Sequence, residues 1–80
     1  MVTAIVLINI GHGSLSGIAK EIGAIPEVAE VHSVAGPYDL IVKVQVEEYE
    51  RMAEVIADKL GNVDGIRDTT TLMAFRTYKF

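Results

Sequence analysis

The chain opens with a run that is apolar on both parities. Between Met1 and Ile10, Val2, Ala4, Val6 and Ile8 fall on one side, and Thr3, Ile5 and Leu7 on the other. A strand apolar on both faces reads as a central strand covered on both sides. The period then changes. Leu15, Ile18, Ala19 and Ile22 recur at helical spacing and form one apolar stripe. Ser14 is placed to cap that helix, Gly23 to stop it, and Pro26 forbids its continuation. Val28 to Ala35 reads as a second strand. In a third, Leu40, Val42, Val44 and Val46 alternate with Ile41, Lys43 and Gln45, and the first set is expected to face the helices. Glu47, Glu48 and Glu50 crowd the start of a second helix, where the macrodipole favours anions. Tyr49, Met52, Ala53, Ile56 and Leu60 are its expected stripe, and Gly61 its end. Ile66 to about Phe75 is the last strand.

The halves echo each other. Ile22-Gly23-Ala24-Ile25-Pro26-Glu27-Val28 resembles Leu60-Gly61-Asn62-Val63-Asp64-Gly65-Ile66. Each runs through a helix end, a glycine, an apolar plug, a turn and the start of a strand. The order is therefore βαβ followed by βαβ, an α+β ferredoxin-like arrangement spanning 1–80 as a single domain. Right-handed crossovers put both helices on one face of a four-stranded antiparallel sheet, order 4-1-3-2. The opposite face is expected to carry Ile5, Leu7, Ile41, Met73 and Phe75, with Thr69 and Thr71. An apolar face of that size is not left in water by a stable monomer, so two sheets are expected to pack face to face in a dimer.

Composition points the same way. Half of the 80 residues are hydrophobic and mean hydropathy is +0.34. A chain this short has a marginal core when alone, and self-association is the remaining route to stability. There is no cysteine and there are only two histidines, so neither a disulfide nor a zinc site is expected. The formal net charge of −4 argues against a phosphate-backbone or anionic-membrane binder. The longest fully apolar run, Ala4 to Ile8, is too short to span a bilayer. With no signal-peptide pattern, the expected compartment is the cytoplasm.

The richest candidate chemistry lies at Gly36-Pro37-Tyr38-Asp39, between the second and third strands. A plain hairpin needs only the turn residues, with Asp39 capping its own backbone. The functional reading is a cradle for a zwitterion, in which peptide N–H groups take an α-carboxylate and Asp39 takes an α-ammonium. Thr69-Thr70-Thr71 suits a strand for packing reasons, and its hydroxyls also suit a ligand or subunit contact. The third strand is expected to begin at one sheet end and the fourth at the other. One pocket using both motifs would then draw them from different protomers. Gly11-His12-Gly13-Ser14 lacks the spacing and lysine of a phosphate loop and is expected to be an ordinary flexible loop. His32 shares a strand face with Glu30 and reads as a surface or interface histidine. No nucleophile-base set and no converging carboxylates are evident, so neither catalysis nor a cofactor is expected.

These residues, in order, resemble a known family. Val34-Ala35-Gly36-Pro37-Tyr38-Asp39-Leu40 looks like the Gly-x-Tyr-Asp turn of the Lrp/AsnC transcriptional regulators. Asp64-Gly65-Ile66-Arg67-Asp68-Thr69-Thr70-Thr71 looks like the last strand of their effector-binding module, the RAM domain. Pro26-Glu27-Val28 fits its second-strand start, and the match covers essentially the whole chain. The resemblance implies a ferredoxin-like dimer that assembles further, typically into an octamer, with amino-acid effectors bound between dimers. It implies contacts from Gly36, Tyr38 and Asp39, with Thr69 and Thr71 contributed by another protomer. Those regulators also carry a helix-turn-helix, whereas this chain starts at the first strand of the module. The expectation is thus a sensor without direct nucleic-acid binding. It would act by co-assembly with full-length regulators or by buffering an amino acid. Two alternatives stand beside it: a cofactor-free dimeric enzyme of the same fold, which needs a polar cavity inside one protomer, and a pure assembly module without ligand.

Overall fold

Val2–Ile10 forms β1, the strand around which the sheet is built. Its even-numbered members Ala4, Val6 and Ile8 are fully buried. The structure, a computed structural model, describes residues 1–80. The chain continues through α1 (Leu15–Gly23), β2 (Val28–Ser33), β3 (Leu40–Val46), α2 (Tyr49–Glu54) with a π-helical extension (Val55–Leu60), and β4 (Ile66–Met73). The antiparallel sheet has the order β2-β3-β1-β4, which is the expected ferredoxin-like topology. Ser14 caps α1 as its sequence suggests, its Oγ accepting from Gly17 N at 3.2 Å. No helix is long and apolar enough to cross a membrane.

The core lies between the helices and one sheet face. Leu40, Val42, Val44 and Val46 of β3 point into it with Ala4, Val6 and Ile8, against Ile18, Ile22, Met52, Val55 and Leu60. No polar or charged residue is buried. The echo between the halves has a structural counterpart. Ile25 N donates to Ile22 O at 3.0 Å, and Val63 N donates to Leu60 O at 3.1 Å. The same turn thus follows both helices, and Val63 is buried as a plug.

Three expectations are corrected. The first concerns α2, whose buried stripe is Met52, Val55 and Leu60, while Tyr49 is 67% exposed and Ala53 is exposed. The cause is the π-helical stretch: Gly61 N donates to Ile56 O, five residues back. The wider turn brings residues five apart, Val55 and Leu60, onto one face.

The second concerns β4. Ile10 pairs with Ile66 but Asn9 pairs with Asp68, so Arg67 is an extra residue in a β-bulge. One inserted residue reverses the face of everything after it. Thr69, Thr71 and Met73 are paired with Ile8, Val6 and Ala4 and therefore lie on the helix side. Thr70 and Leu72, paired with Leu7 and Ile5, lie on the open face instead. β4 ends at Met73, and Phe75 is fully exposed in the segment beyond it. The open face thus carries Ile5, Leu7, Ile41 and Leu72.

The third concerns the sheet ends. β1 runs antiparallel to both β3 and β4, so β3 and β4 both begin at the Ile10 end of β1, not at opposite ends. The geometric reason for assigning the two motifs to different protomers falls with it.

At the far end of the sheet, Glu27 ties the α1–β2 turn to the second helix. It accepts from Arg51 Nη2 at 2.9 Å and from Lys59 Nζ at 2.8 Å. The Lys59 hydrogen bond chiefly, with the charges of Lys59 and Arg51, holds its carboxyl below the ordinary value of 4.5 despite partial desolvation. A carboxyl depressed in the folded state stabilises the fold above its unfolded value, and that stabilisation is lost as pH falls through the folded value. Urea midpoints are therefore expected to drop on acidification below pH 4.5. The drop should be smaller in Glu27→Gln. An equal drop in that variant would assign the acid sensitivity to other carboxylates.

Candidate functional site

The β2–β3 connection, residues 34–39, is positioned by three hydrogen bonds. Val34 N donates to Asp39 O at 3.0 Å and closes the turn. Asp39 N donates to Ile8 O at 2.9 Å. The Asp39 carboxylate reaches across to β1, where Oδ2 accepts from Ile10 N at 2.8 Å. Asp39 thus neither caps its own turn nor stands free: it satisfies the last N–H of the central strand. Gly36 sits at φ +135, a conformation that side-chain-bearing residues rarely adopt, with nothing within 4 Å of where a Cβ would be. Tyr38 and Asp39 are half-buried, and Gly36 and Pro37 are exposed.

The same sheet end gathers further polar groups. Gly11 N and His12 N both donate to Gly65 O, at 2.8 and 3.4 Å. The β1–α1 loop is thereby clamped to the start of β4, and the flexible loop expected from its glycines is held. His12 Nε2 stands 3.8 Å from Asp64 Oδ1 in solvent. On the open face, Asp68 accepts from Asn9 Nδ2 at 3.0 Å and from Arg67 Nε at 3.2 Å. These bonds, that of Asn9 first, hold its carboxyl below the ordinary range. Asn9 and Asp68 were not singled out from sequence, though Asn9 is a lone amide in the apolar run Leu7-Ile8-Asn9-Ile10. His32 and Glu30 share the open face as expected, with Nε2 and Oε1 2.9 Å apart, and Lys43 Nζ also reaches Glu30 at 3.3 Å.

Of the expected site residues, Gly36, Tyr38 and Asp39 come together at one turn. Thr69 is at the same sheet end, paired with Ile8, which on its other side pairs with Leu40. Two interstrand spacings, roughly 9–10 Å, separate the β3 and β4 backbones there. Thr71 does not join this group. It lines a shallow apolar groove of about 230 Å³ with Tyr49, Ala53, Ile56 and Met73. The principal clefts of the surface include none of residues 36–39. Within one chain the turn is therefore an open shelf of backbone groups and one carboxylate, not an enclosed pocket.

Comparison with known proteins agrees with this architecture. The family model for the Lrp/AsnC ligand binding domain matches residues 3–80. An uncharacterized HTH-type transcriptional regulator from Pyrococcus horikoshii, PH1916, is 40% identical over 62 residues, covering 78% of this chain and 41% of that protein. The chain spans about half or less of the length of the curated relatives it matches. The crystal structure of TTHA0845 from Thermus thermophilus superimposes with a TM-score of 0.91 at 38% identity, covering all of both chains. The transcriptional regulator NMB0573 from Neisseria meningitidis, solved as an L-Met complex, shares the fold alone. Its TM-score is 0.88 at 16% identity, covering 99% of this chain and 53% of that one. The chain belongs to the Lrp/AsnC ligand-binding domain family.

Proposed function

We propose that this chain is an amino-acid-sensing and assembly module of transcriptional regulation, working through subunit contacts and not through catalysis. The observation that carries the reading is the open shelf at residues 36–39. It holds a carboxylate and backbone groups suited to a zwitterion but is not closed by its own chain. A second subunit meeting this sheet end would complete it. Gly36, Tyr38 and Asp39 are the proposed contacts on one side, and Thr69 and Thr71 on the other. The L-Met complex of the Neisseria meningitidis regulator supports an amino acid as the class of effector. The wholly apolar interior supports a non-enzymatic role, because catalysis within one protomer would need polar groups there.

Residues 1–80 form a single ligand-binding domain in this reading. Two such domains pair through the open faces, and the dimers assemble further, as an octamer. Full-length Lrp/AsnC regulators are the proposed partners in mixed assemblies. The apolar strip of Ile5, Leu7, Ile41 and Leu72 supports the pairing.

Calorimetric titration with each proteinogenic amino acid, alongside analytical ultracentrifugation, tests both parts. A saturable heat with at least one amino acid and a change in assembly on binding are expected. No heat from any of them, with the assembly unchanged, would overturn sensing. A folded monomer at micromolar concentration would overturn the pairing. Capture of a full-length regulator without any amino acid would favour assembly as the module's sole role.

A further inference from the structure

The second helix does not bury all of its apolar residues. Met52, Val55 and Leu60 are in the core, but the widened turn leaves Tyr49, Ala53 and Ala57 exposed and Ile56 half-buried. Together with Met52, and with Thr71 and Met73 of β4, these residues line an open groove of about 230 Å³ in which Thr71 is the one polar wall residue. The groove is on the helix side of the sheet, so pairing through the open faces leaves it accessible. Its outer rim is acidic. Glu50, Glu54 and Asp58 each follow a groove residue at intervals of four, and all are exposed. Like charges at this spacing repel along a helix, and little on the chain relieves them. Glu50 and Asp58 make no ion pair, and Glu54 reaches only Arg51, at 3.9 Å. The cations of this helix, Arg51 and Lys59, are both drawn to Glu27.

We infer that this groove docks a basic amphipathic helix of another protein, whose aliphatic side chains enter between α2 and β4 while its Lys and Arg side chains lie over Glu50, Glu54 and Asp58. Charge complementarity selects this occupant. A cationic flank relieves the repulsion along the rim at the same moment as an aliphatic stripe covers the groove. The shape suits a helix as well. Tyr49, Ala53 and Ala57 form one row at intervals of four, and the small side chains at 53 and 57 let a second helix axis come close. No helix of a second copy fits the charge requirement. α1 has a single cation, Lys20, directly beside Glu21, and a second α2 would bring the same acids. An anionic membrane surface does not fit either, since its headgroups are repelled by the rim. The contact is made by side chains, takes no backbone position on β4, and does not rest on amino-acid binding.

The probe is a dye-labelled synthetic helix of roughly 18 residues, long enough to be helical alone, with Leu and Ala in one stripe and Lys and Arg on its flanks. It is titrated with the full chain and followed by fluorescence anisotropy. No amino acid is added, because Thr71 is shared with the proposed effector contacts. The expected result is saturable binding, several-fold tighter than for a scrambled peptide of the same composition, and weaker in high salt. Ala57→Gln, which puts a polar side chain in the groove without changing charge, should lower affinity about tenfold. Glu50→Gln/Asp58→Asn should lower it about fivefold. Glu21→Gln/Asp64→Asn removes as much charge from exposed positions outside the groove and should change it little. No binding, or equal binding of the scrambled peptide, overturns the inference. So does an equal loss in the two charge variants, or no loss in Ala57→Gln, with all variants folded by circular dichroism. Two further outcomes overturn it by naming another occupant. Self-association that Ala57→Gln abolishes would make it a second copy, and binding to phosphatidylglycerol vesicles that Ala57→Gln abolishes would make it a membrane.

Discussion

Gly65→Val is expected to remove most of the stability of this fold. Gly65 is buried at φ +99, and a Cβ there would stand 2.5 Å from His12 O and 2.6 Å from Ile18 Cδ1. A β-branched residue at positive φ costs about 1–3 kcal/mol in backbone strain. Forcing the carbonyl and the core isoleucine apart adds about 1–3 kcal/mol of overpacking. A domain of this size has roughly 4–12 kcal/mol in all. The variant should also lose the bonds from Gly11 N and His12 N to Gly65 O, which clamp the loop before α1. Urea unfolding followed by circular dichroism measures the effect. Gly36→Val is the control, because Gly36 shares the positive φ but has open space where its Cβ would stand. It should show the strain alone. Equal midpoints for the two variants would show that the clash at Gly65 relaxes without cost.

Asp39→Asn is expected to separate the two duties of its side chain. The amide oxygen still accepts from Ile10 N–H, so folding stability should hold within about 1 kcal/mol. The negative charge is gone, and a hydrogen bond to a charged partner is worth about 1.5–3 kcal/mol. Affinity for the effector identified by calorimetry should therefore fall by about tenfold to a hundredfold. Asp39→Ala loses both duties and strands the Ile10 donor, at a cost of about 1–3 kcal/mol in stability. Unchanged affinity in Asp39→Asn, with Asp39→Ala destabilised, would make the carboxylate a latch between β3 and β1 and nothing more.

The sequence conveyed the fold through patterns that depend on few residues at a time. Strict alternation from Leu40 to Val46, the Ser14 cap and the repeated junctions after Ile22 and Leu60 are all present in the structure. What was not legible depended on insertions into those periods. Arg67 carries no mark of a bulge, yet it moves Thr69, Thr71 and Met73 to the helix side. The π-helical stretch likewise exchanges Ala53 for Val55 in the core, because extrapolating a 3.6-residue period assumes that no turn widens. At the candidate site the residue types were legible and the contacts were not. The bond from Ile10 N to Asp39 Oδ2 joins residues 29 apart in sequence, which no local pattern encodes.

The two junctions after Ile22 and Leu60 make the domain a pair of interleaved half-units, and residues 34–39 are the only covalent link between them. A tether between two halves that already interlock through β1 and β3 has little architecture to carry beyond its anchor at Asp39. Its exposed outer positions Ala35 and Pro37 can therefore change side chain without disturbing the interior, while the positive φ of Gly36 holds that position to glycine. In such a design, selectivity for a new small molecule can drift at the tether while the body of the domain, and the surfaces by which copies recognise one another, stay constant.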